Sequence, residues 1–211
     1  VQPLICRPYL EDTREIHDRI YRMICKYPGR FLGMASIDPH FRPEDYEAEL
    51  TRCVNKLGFV GTKITPIGHA AHPSSKDCMQ VYEICRKLNV PVMIHTGSGT
   101  PFSDPMSMMN AVTAFKDVKF IMAHAGSNLM FQEALYVARN NDNVYLEPSW
   151  LDVLCVKTAV KVLGAGKIMF SSDMPENIPI ELEKYRSACD DSETLEQIFC
   201  GAAKEAYKLK V

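Results

Sequence analysis

The sequence predicts an α/β fold, a (β/α)₈ barrel in which parallel strands alternate with helices, built as a single domain. Six short apolar runs rich in β-branched residues recur along the chain, and each one ends in small or polar residues. They are residues 31–39, 59–66, 90–97, 119–126, 144–150 and 167–175. Runs this apolar are typical of strands buried on both faces, as in a parallel sheet that helices cover.

Segments with the periodicity of amphipathic helices lie between these runs. In residues 44–57, Tyr46, Leu50 and Val54 form one apolar stripe, and Gly58 follows as a stop signal. The same kind of spacing predicts helices over residues 12–27, 44–57, 74–88, 104–115 and 129–138. Because strands and helices alternate, the pattern fits repeated βα units joined by right-handed crossovers.

The positions of polar residues favour a barrel over an open doubly wound sheet. Nucleotide-binding open sheets carry a glycine-rich turn after the first strand, and neither G-x-G-x-x-G nor G-x-x-x-x-G-K-[ST] occurs here. Polar residues of functional types instead end several successive apolar runs. The carboxyl ends of barrel strands meet at one mouth, where barrel enzymes place their active sites.

Composition limits the partners of this chain. Its 211 residues are 46% hydrophobic and 24% charged, which is ordinary for a globular domain. A net charge of −2 and an isoelectric point near 6.3 provide no basic surface for nucleic acid or anionic membrane. No apolar run approaches the roughly 20 residues of a membrane span. The eight cysteines include no C-x-x-C pair, so we expect reduced thiols in a cytoplasmic protein that binds a small molecule.

Three of the apolar runs end in residues of metal-binding types. His95 lies in V-M-I-H-T-G, His124 in I-M-A-H-A-G, and Asp173 in M-F-S-S-D-M-P. In a parallel barrel these strand ends converge, so two imidazoles and a carboxylate are expected to lie close together. Such a set suits Zn²⁺ with an open position for water, whose pKa the ion lowers to about 7. Taken singly, each histidine is equally explained as a hydrogen-bonded core residue, and the aspartate as a turn cap.

The same residues, taken in order, resemble the amidohydrolase-2 family. The matching segments are G-F-V-G-T-K-I-T-P, P-V-M-I-H-T-G, A-H-A-G, N-V-Y-L-E-P-S and F-S-S-D-M-P, and the resemblance covers residues 31–207. The family contains metal-dependent hydrolases and aromatic-acid decarboxylases. The resemblance therefore implies a (β/α)₈ barrel of the metallo-dependent hydrolase type with one divalent metal ion, for which Zn²⁺ is expected.

The resemblance also implies roles for four residues. His95 would be a metal ligand, and Asp173 would be a second ligand that can also take a proton. His124 would act as a general base or polarise the substrate beside the metal. Lys63 matches the lysine of the family's G-x-K-x-x-P strand, and we expect it to pair with an anion or to be solvated at the barrel mouth.

Two further residues are weaker candidates for contact with a substrate. Trp150, which follows E-P-S, either walls a substrate pocket or belongs to the core at the barrel rim. His69 forms an H-x-x-H with His72 in the loop after the second apolar run, and it is either a polar loop residue or a substrate contact. Glu147 is either a buried acid or a support for a neighbouring ligand.

The family pattern is incomplete in this sequence. The family begins with an H-x-H pair on its first strand, and both histidines bind the metal, whereas no H-x-H occurs here. Six predicted strands also fall short of the eight that normally close such a barrel. We therefore expect residues 1–211 to form one N-terminally incomplete barrel domain that lacks its first one or two βα units, with residues 1–8 as the tail of the second.

These observations predict a metal-dependent hydrolase that activates water to cleave a C–O or C–N bond of a small acid, ester, lactone or amide. One alternative is non-oxidative decarboxylation of an aromatic or muconate-like acid on the same site. Another is an inactive truncated barrel that serves as a binding or oligomerisation module through its open sheet edges. No sequence pattern separates the two reactions, because substrate choice resides in loops. The family resemblance also implies a homo-oligomer.

Overall fold

A computed structural model describes residues 1–3 and 8–209 of the chain. Four parallel strands form one sheet in the order in which they occur along the chain. They are β1 (Thr62–Ile64), β2 (Val92–His95), β3 (Phe120–Ala123) and β4 (Val144–Glu147). In their register Lys63 lies beside Met93, and His95 lies beside Ala123. Parallel neighbours that follow each other along the chain are the repeating units of a βα barrel.

Helices connect and flank these strands. They are α1 (Leu10–Lys26), α2 (Pro43–Asn55), α3 (Pro66–His69), α4 (Lys76–Leu88), α5 (Met109–Ala114), α6 (Ser127–Arg139), α7 (Val153–Leu163), α8 (Ile178–Ala188), α9 (Ser192–Glu196) and α10 (Ala202–Tyr207). The five predicted helices are confirmed as α1, α2, α4, α6 and, after a 3₁₀ turn at Pro105–Met108, α5. The helices after Trp150 were not predicted. Side-chain caps fix several starts; the hydroxyl of Ser75, for example, accepts the N–H of Cys78 at the start of α4.

The first and last predicted strands, residues 31–39 and 167–175, each reach the sheet through a single bridge. Ala35 pairs with β1 and Ile168 pairs with β4, both in parallel. The prediction of full strands at these two places is wrong. In the last run the backbone leaves the sheet soon after the bridge, because the N–H of Phe170 donates at 2.9 Å to the carbonyl of Ile198, between α9 and α10.

The start of the chain lies beside the first of these runs. The ammonium group of Val1 donates to the carbonyl of Leu32 at 2.6 Å, and the N–H of Met34 donates to the carbonyl of Val1 at 2.8 Å. This is the bonding pattern of a parallel pair, so residues 1–3 add a further parallel segment at this edge. The rest of the predicted N-terminal tail, residues 4–7, lies outside the described residues.

Alternate residues of the strands face two different hydrophobic clusters. One set faces the flanking helices and belongs to the larger cluster: Ile64, Ile94, Met122 and Leu146. The other set faces the barrel interior and belongs to a smaller cluster: Met93, Ile121, Tyr145 and Met169. Because side chains alternate along a strand, Lys63, His95 and Glu147 share the interior face with the second set.

Helix α10 fills the interior below these polar residues. Its Ala202 and Ala206 belong to the smaller cluster. The hydroxyl of the buried Tyr145 donates to the carboxylate of Glu205 at 2.6 Å, which ties the helix to β4. The interior therefore has an apolar floor, with the polar groups above it.

A buried polar network fixes α1 to α2. The Nδ1–H of His17 donates to the carboxylate of Glu49 at 2.7 Å, and the N–H of Ser36 donates to Nε2 of His17 at 3.1 Å. Arg52 donates to both carboxylate oxygens of Glu49 at 2.9 Å. Burial alone would raise the pKa of Glu49, but the hydrogen bonds from His17 and Arg52 outweigh burial and lower it to about 2.

Within the described part of the chain, none of the helices combines the length and the apolar character needed to cross a lipid bilayer. The cysteines of the same residues are free thiols, and burial raises the pKa of Cys53 and Cys85. Cys6 lies outside the described residues. Because a protonated thiol is a poor nucleophile, the two buried cysteines are packing residues rather than candidates for catalysis.

Glu49→Gln is expected to weaken the dependence of stability on acid. The pKa of Glu49 lies below its ordinary 4.5 in the folded protein, so the carboxylate stabilises the fold above pH 4.5 and loses that contribution as the pH falls toward 2. The linkage relation puts this contribution on the order of 3 kcal/mol. Urea titrations at a series of pH values measure it as a shallower decline of the unfolding free energy in the variant.

Glu47→Gln on the same helix is the matched control, since Glu47 pairs with Lys87 at 3.3 Å near the surface. Surface ion pairs contribute little to stability, so this variant should follow the wild-type pH profile. A Glu49 variant with the wild-type slope would contradict the assignment.

Candidate active site

A cavity of about 200 Å³ opens at the carboxyl ends of the strands. Side chains from separate segments of the chain line it: Gln2, Pro3, Lys63, Thr65, His95, His124 and Asp173. The structure therefore brings together the three residues that the sequence predicts to converge, with Lys63 beside them. The described residues lining this cavity include neither His69 nor Trp150.

The strands determine where these side chains lie. Lys63 and His95 are on the interior face of β1 and β2. His124 follows β3 directly and begins a short 3₁₀ turn, and Asp173 lies in the loop after the bridge at Ile168. Because the strands are parallel, all four positions face the same mouth of the barrel.

His95 and His124 form a close pair of neutral rings. Their ring centroids are 4.8 Å apart and their planes are inclined by 70°. Burial is the main cause that lowers the pKa of each ring to about 4, and the Lys63 ammonium contributes to that lowering in both. Near neutral pH each ring therefore carries one lone pair that can bind a proton or a metal ion.

Ser149 and Glu147 hold the His124 ring in place. The Nδ1 of His124 lies 2.7 Å from the hydroxyl oxygen of Ser149. The two carboxylate oxygens of Glu147 accept the N–H groups of Ser149 at 2.9 Å and of His124 at 3.1 Å. The Ser149 hydroxyl also bonds the Glu147 side chain. With Glu147 as a carboxylate, which can only accept, that hydroxyl donates to Glu147 and accepts the Nδ1–H of His124. The Nε2 lone pair of His124 is then left for the cavity.

The buried charges of Glu147 and Lys63 act on each other. Burial raises the pKa of Glu147 above its ordinary value, and its hydrogen bonds and the Lys63 ammonium offset only part of that rise. Burial lowers the pKa of Lys63, whereas Glu147 and Asp173 raise it. A buried ammonium and a buried carboxyl group therefore lie at the cavity in poorly hydrated surroundings, where charge interactions are stronger than in water, and the exposed Asp173 lies at its mouth.

Three residues of the site adopt left-handed backbone conformations. The φ angles of His124, Trp150 and Asp173 are 62°, 68° and 60°. A residue with a Cβ loses about 1–2 kcal/mol in this region, and such strain concentrates at functional sites where surrounding contacts hold it. All three residues follow a strand or bridge of the sheet, so the strain lies at the barrel mouth.

Trp150 contacts Asp173 instead of forming part of the core. Its indole Nε1–H donates to Oδ2 of Asp173 at 2.9 Å, and 53% of the residue is exposed. Its backbone N–H donates to Oε1 of Glu181 at 3.0 Å. The alternative of a core residue at the barrel rim is therefore wrong, whereas a substrate contact by Trp150 stays a prediction.

His69 lies apart from the cavity. Its Nδ1 accepts the N–H of Thr65 at 3.0 Å, and the residue is 2% exposed. Burial lowers its pKa to about 4. A substrate contact by His69 is a prediction that this geometry does not favour, because the ring supports the turn of α3.

Three polar residues of the site were missed by reasoning from the sequence. Gln2 lines the cavity, and its amide oxygen is buried without a hydrogen-bond partner in the part of the chain that the structure describes. Ser149 holds His124, and Glu181 holds Trp150. Ser149 belongs to the E-P-S segment that ends a predicted strand, which was a usable signal. Gln2 and Glu181 lie outside every motif.

His95 and Asp173 have the donor chemistry of a divalent-ion site. Neither ring nitrogen of His95 has a hydrogen-bond partner among the described residues. The carboxylate of Asp173 accepts one hydrogen bond from Trp150 and keeps other lone pairs free. Catalytic sites of this kind use three protein ligands and an open position, so these two residues fit a divalent ion as part of a ligand set.

A second group, remote from the cavity, brings metal-binding atoms together. Ligand atoms of His17, Glu49 and Cys53 lie within 4.8 Å of one another. Both nitrogens of His17 are already bonded, and Arg52 and Arg14 donate to Glu49. A dication there would face two guanidinium groups and a protonated thiol, so this group is the structural network between α1 and α2.

The fold and these residues define a metallo-dependent barrel enzyme class. A model of the amidohydrolase family matches residues 10–209. The chain belongs to the amidohydrolase family, as the motif resemblance implied.

The curated relatives that match this chain include a decarboxylase and a hydratase. γ-Resorcylate decarboxylase of Polaromonas sp. strain JS666 is 25% identical, and the match covers 94% of this chain and 77% of the relative. 2-Keto-4-carboxy-3-hexenedioate hydratase of Sphingobium sp. strain SYK-6 is 32% identical over 51% of this chain and 38% of the relative. The decarboxylase is thus matched along nearly the whole chain, and the hydratase along half of it.

Solved structures confirm the barrel fold. 2,6-Dihydroxybenzoate decarboxylase from Rhizobium superposes with a TM-score of 0.80 at 20% identity, covering 96% of this chain and 78% of that one. The dihydroxybenzoic acid decarboxylase from Polaromonas sp. JS666, with bound manganese and 2-nitroresorcinol, gives a TM-score of 0.75 at 20% identity, covering 96% and 76%. At this identity the likeness establishes the architecture and not the reaction.

The expectation of a hydrolase is wrong. A curated relative matched over 94% of the chain is a decarboxylase, and decarboxylases are also found among the structures that share its fold. These findings favour the decarboxylation alternative over attack of activated water on a C–O or C–N bond.

Ser149→Ala is expected to remove the hydrogen bond that holds the His124 ring and sets its tautomer. Nδ1 of His124 then loses its partner in buried surroundings, which costs about 1–3 kcal/mol for an unsatisfied polar group. Urea denaturation measures the loss of stability. Nitrogen-15 NMR of the imidazole should show a single tautomer in the wild type and a mixture in the variant.

Ser187→Ala, at an exposed position of α8, is the matched control and should change neither quantity. A single unchanged tautomer in the Ser149 variant would show that the hydroxyl does not set the ring's proton.

Proposed function

We propose that this chain provides the active site of a non-oxidative decarboxylase that acts on a hydroxylated aromatic acid. The observation that carries the proposal is the cavity in which Lys63, His95, His124 and Asp173 converge. The match to a γ-resorcylate decarboxylase over 94% of the chain supports it. The reaction replaces the carboxylate on the ring by hydrogen and releases carbon dioxide.

The substrate is an anion, and the cavity offers a buried cation to bind it. Lys63 is 6% exposed, and an ammonium in such surroundings attracts a carboxylate more strongly than one in water. The buried amide oxygen of Gln2 is an acceptor that a substrate hydroxyl can satisfy. We assign Lys63 to the carboxylate and Gln2 to a ring hydroxyl.

A divalent ion is part of the proposal. The manganese in the related Polaromonas structure supports Mn²⁺, and the ligand types also suit Zn²⁺. His95 and Asp173 would hold the ion as members of a larger ligand set. When bound, the ion would supply positive charge that polarises the oxygens of the substrate.

Two residues of the chain handle protons in the proposed reaction. The Nε2 lone pair of His124 accepts the proton of a ring hydroxyl, which raises the electron density of the ring. The carboxylate of Asp173, which is exposed at the mouth, takes up a proton from solvent and delivers it to the ring carbon that bears the carboxylate. As that C–H bond forms, the C–C bond to the carboxylate breaks, its electrons return to the ring, and carbon dioxide leaves.

Three general expectations accompany this proposal: a small-molecule substrate, homo-oligomeric assembly and a cytoplasmic location. The related decarboxylases are named for small aromatic acids, which supports the first. The second rests on the family resemblance and the third on composition, and both stay predictions.

The purified chain, supplied with Mn²⁺ or Zn²⁺, is expected to release carbon dioxide from 2,6-dihydroxybenzoate. Asp173→Asn should lower kcat by about 100-fold or more, because the variant lacks the carboxyl group that delivers the proton. It should also bind less Mn²⁺. Product chromatography and elemental analysis of the protein measure the two effects.

Asp142→Asn is the matched control, since Asp142 is exposed and distant from the cavity lining. It should keep both activity and metal. Addition of water to an unsaturated acid without carbon dioxide release would replace this proposal by a hydratase. A chain with neither turnover nor bound metal would favour the inactive binding module.

Gln2→Leu is expected to reduce the preference for substrates with a second hydroxyl beside the carboxylate. The wild-type amide oxygen is left unpaired by a ring that lacks the second hydroxyl, and an unpaired buried acceptor costs about 1–3 kcal/mol. The ratio of kcat/KM for 2,6-dihydroxybenzoate and for 2-hydroxybenzoate, whose single hydroxyl is needed by His124, should therefore fall about tenfold in the variant.

Gln132→Leu, on the exposed face of α6, is the control and should keep the wild-type ratio. An unchanged ratio in the Gln2 variant would remove Gln2 from the substrate contacts.

A further inference from the structure

Trp150 supplies the hydrogen bond that orients the carboxylate of Asp173. The Nε1–H of Trp150 lies 2.9 Å from Oδ2 of Asp173, and this is the side-chain hydrogen bond that the carboxylate makes within the described residues. Asp173 itself lies on an exposed loop with a left-handed backbone. Its carboxylate would rotate freely there without the indole.

A buried ion pair on α8 in turn holds the segment that carries Trp150. Oε1 of Glu181 accepts the backbone N–H of Trp150 at 3.0 Å and the side-chain amide of Asn177 at 3.3 Å. The ammonium of Lys184 pairs with Oε2 of Glu181 and donates to the carbonyl of Pro148 at 2.8 Å. The two charged groups thus bind both ends of residues 148–150, and we call them the Glu181–Lys184 clamp.

The Glu181–Lys184 clamp is better explained by where it places its hydrogen bonds than by a contribution to the stability of the fold. Glu181 and Lys184 are 2% and 8% exposed, and a buried ion pair is commonly no more stabilising than apolar residues of the same size. It does, however, provide hydrogen bonds at fixed places to a backbone N–H and a carbonyl. Those bonds hold Trp150 at a φ of 68°, a conformation that a residue with a Cβ avoids when free.

We propose that Glu181 and Lys184 are positioning residues that hold Trp150 so that its indole fixes one oxygen of the Asp173 carboxylate and turns the other toward the cavity. The proposal rests on the role of Asp173 in the proposed function. It adds a chain of contacts from α8 through Trp150 to Asp173 in which only the last member faces the substrate. The neighbouring pair Glu183 and Arg186, exposed on the same helix, has no such contact in the described residues.

The chain contains a single tryptophan, so its fluorescence reports on Trp150 alone. In the wild type the decay of fluorescence anisotropy should follow the tumbling of the whole protein. Replacing the clamp by apolar residues, Glu181→Leu with Lys184→Met, should add a fast component from local motion of the indole. Asp173→Ala, an exposed change that leaves the core intact, should add a similar component because the indole loses its acceptor.

Kinetics separate positioning from binding. The clamp variant and Trp150→Phe, which keeps the ring but removes the N–H, should both lose about tenfold in kcat, as small displacements of a reacting group do. Their KM should stay within about twofold, since Lys63 and Gln2 are untouched. Glu183→Gln with Arg186→Gln is the matched control and should resemble the wild type in every measurement.

A folded clamp variant with wild-type anisotropy decay would overturn the proposal, as would unchanged anisotropy in Asp173→Ala. If the clamp variant does not fold, as judged by circular dichroism, the Asp173→Ala comparison decides whether the indole is held by the carboxylate. A wild-type chain without decarboxylase activity would contradict the proposed function. The anisotropy measurements would still test whether Glu181 and Lys184 hold Trp150 in place.

Discussion

Side-chain alternation along parallel strands is the constraint on which the site depends. The register places His95 and Glu147 in one interior layer, with Lys63 one layer below beside Met93. A shift of any strand by one residue would send its polar group into the apolar contact with the outer helices. The same strands carry the apolar residues that pack on the outer helices and the polar residues that face the interior. The packing of the larger cluster therefore determines where the polar side chains lie at the barrel mouth.

Charge in the cavity is balanced over several residues rather than within one pair. Lys63 is the cation, Glu147 and Asp173 are the carboxylates, and the two histidines stay neutral because burial and the ammonium both oppose their protonation. The Lys63 ammonium contributes to the pKa of Glu147, His95 and His124, as expected for charges that are close together in a buried site. The site is thus a coupled set, which explains why Glu147 receives backbone donors on both oxygens.

Much of the fold and part of the site followed from local patterns. His95, His124 and Asp173 could be predicted to converge because each lies beside an apolar run that is recognisable as barrel sheet, and parallel strands end together. Gln2 could not, because its place depends on backbone pairing between segments far apart in the chain. Glu181 could not either, because its partner is a backbone N–H that no sequence pattern marks. The last predicted strand, residues 167–175, is longer in the prediction than in the structure. Its composition indicates burial, but the N–H of Phe170 donates to the carbonyl of Ile198 and not to the sheet.

The apolar floor built by α10 and the interior layer of Tyr145 has a consequence for proton supply. Each turnover of the proposed reaction consumes one proton, which bulk water must eventually replace. In that floor Tyr145 is fully buried, and its hydroxyl proton is engaged by Glu205. Replacement protons therefore enter from the mouth, where Asp173 is exposed. The carboxyl group that the proposed reaction empties is the exposed one that solvent can refill, whereas His124 and Glu147 are buried.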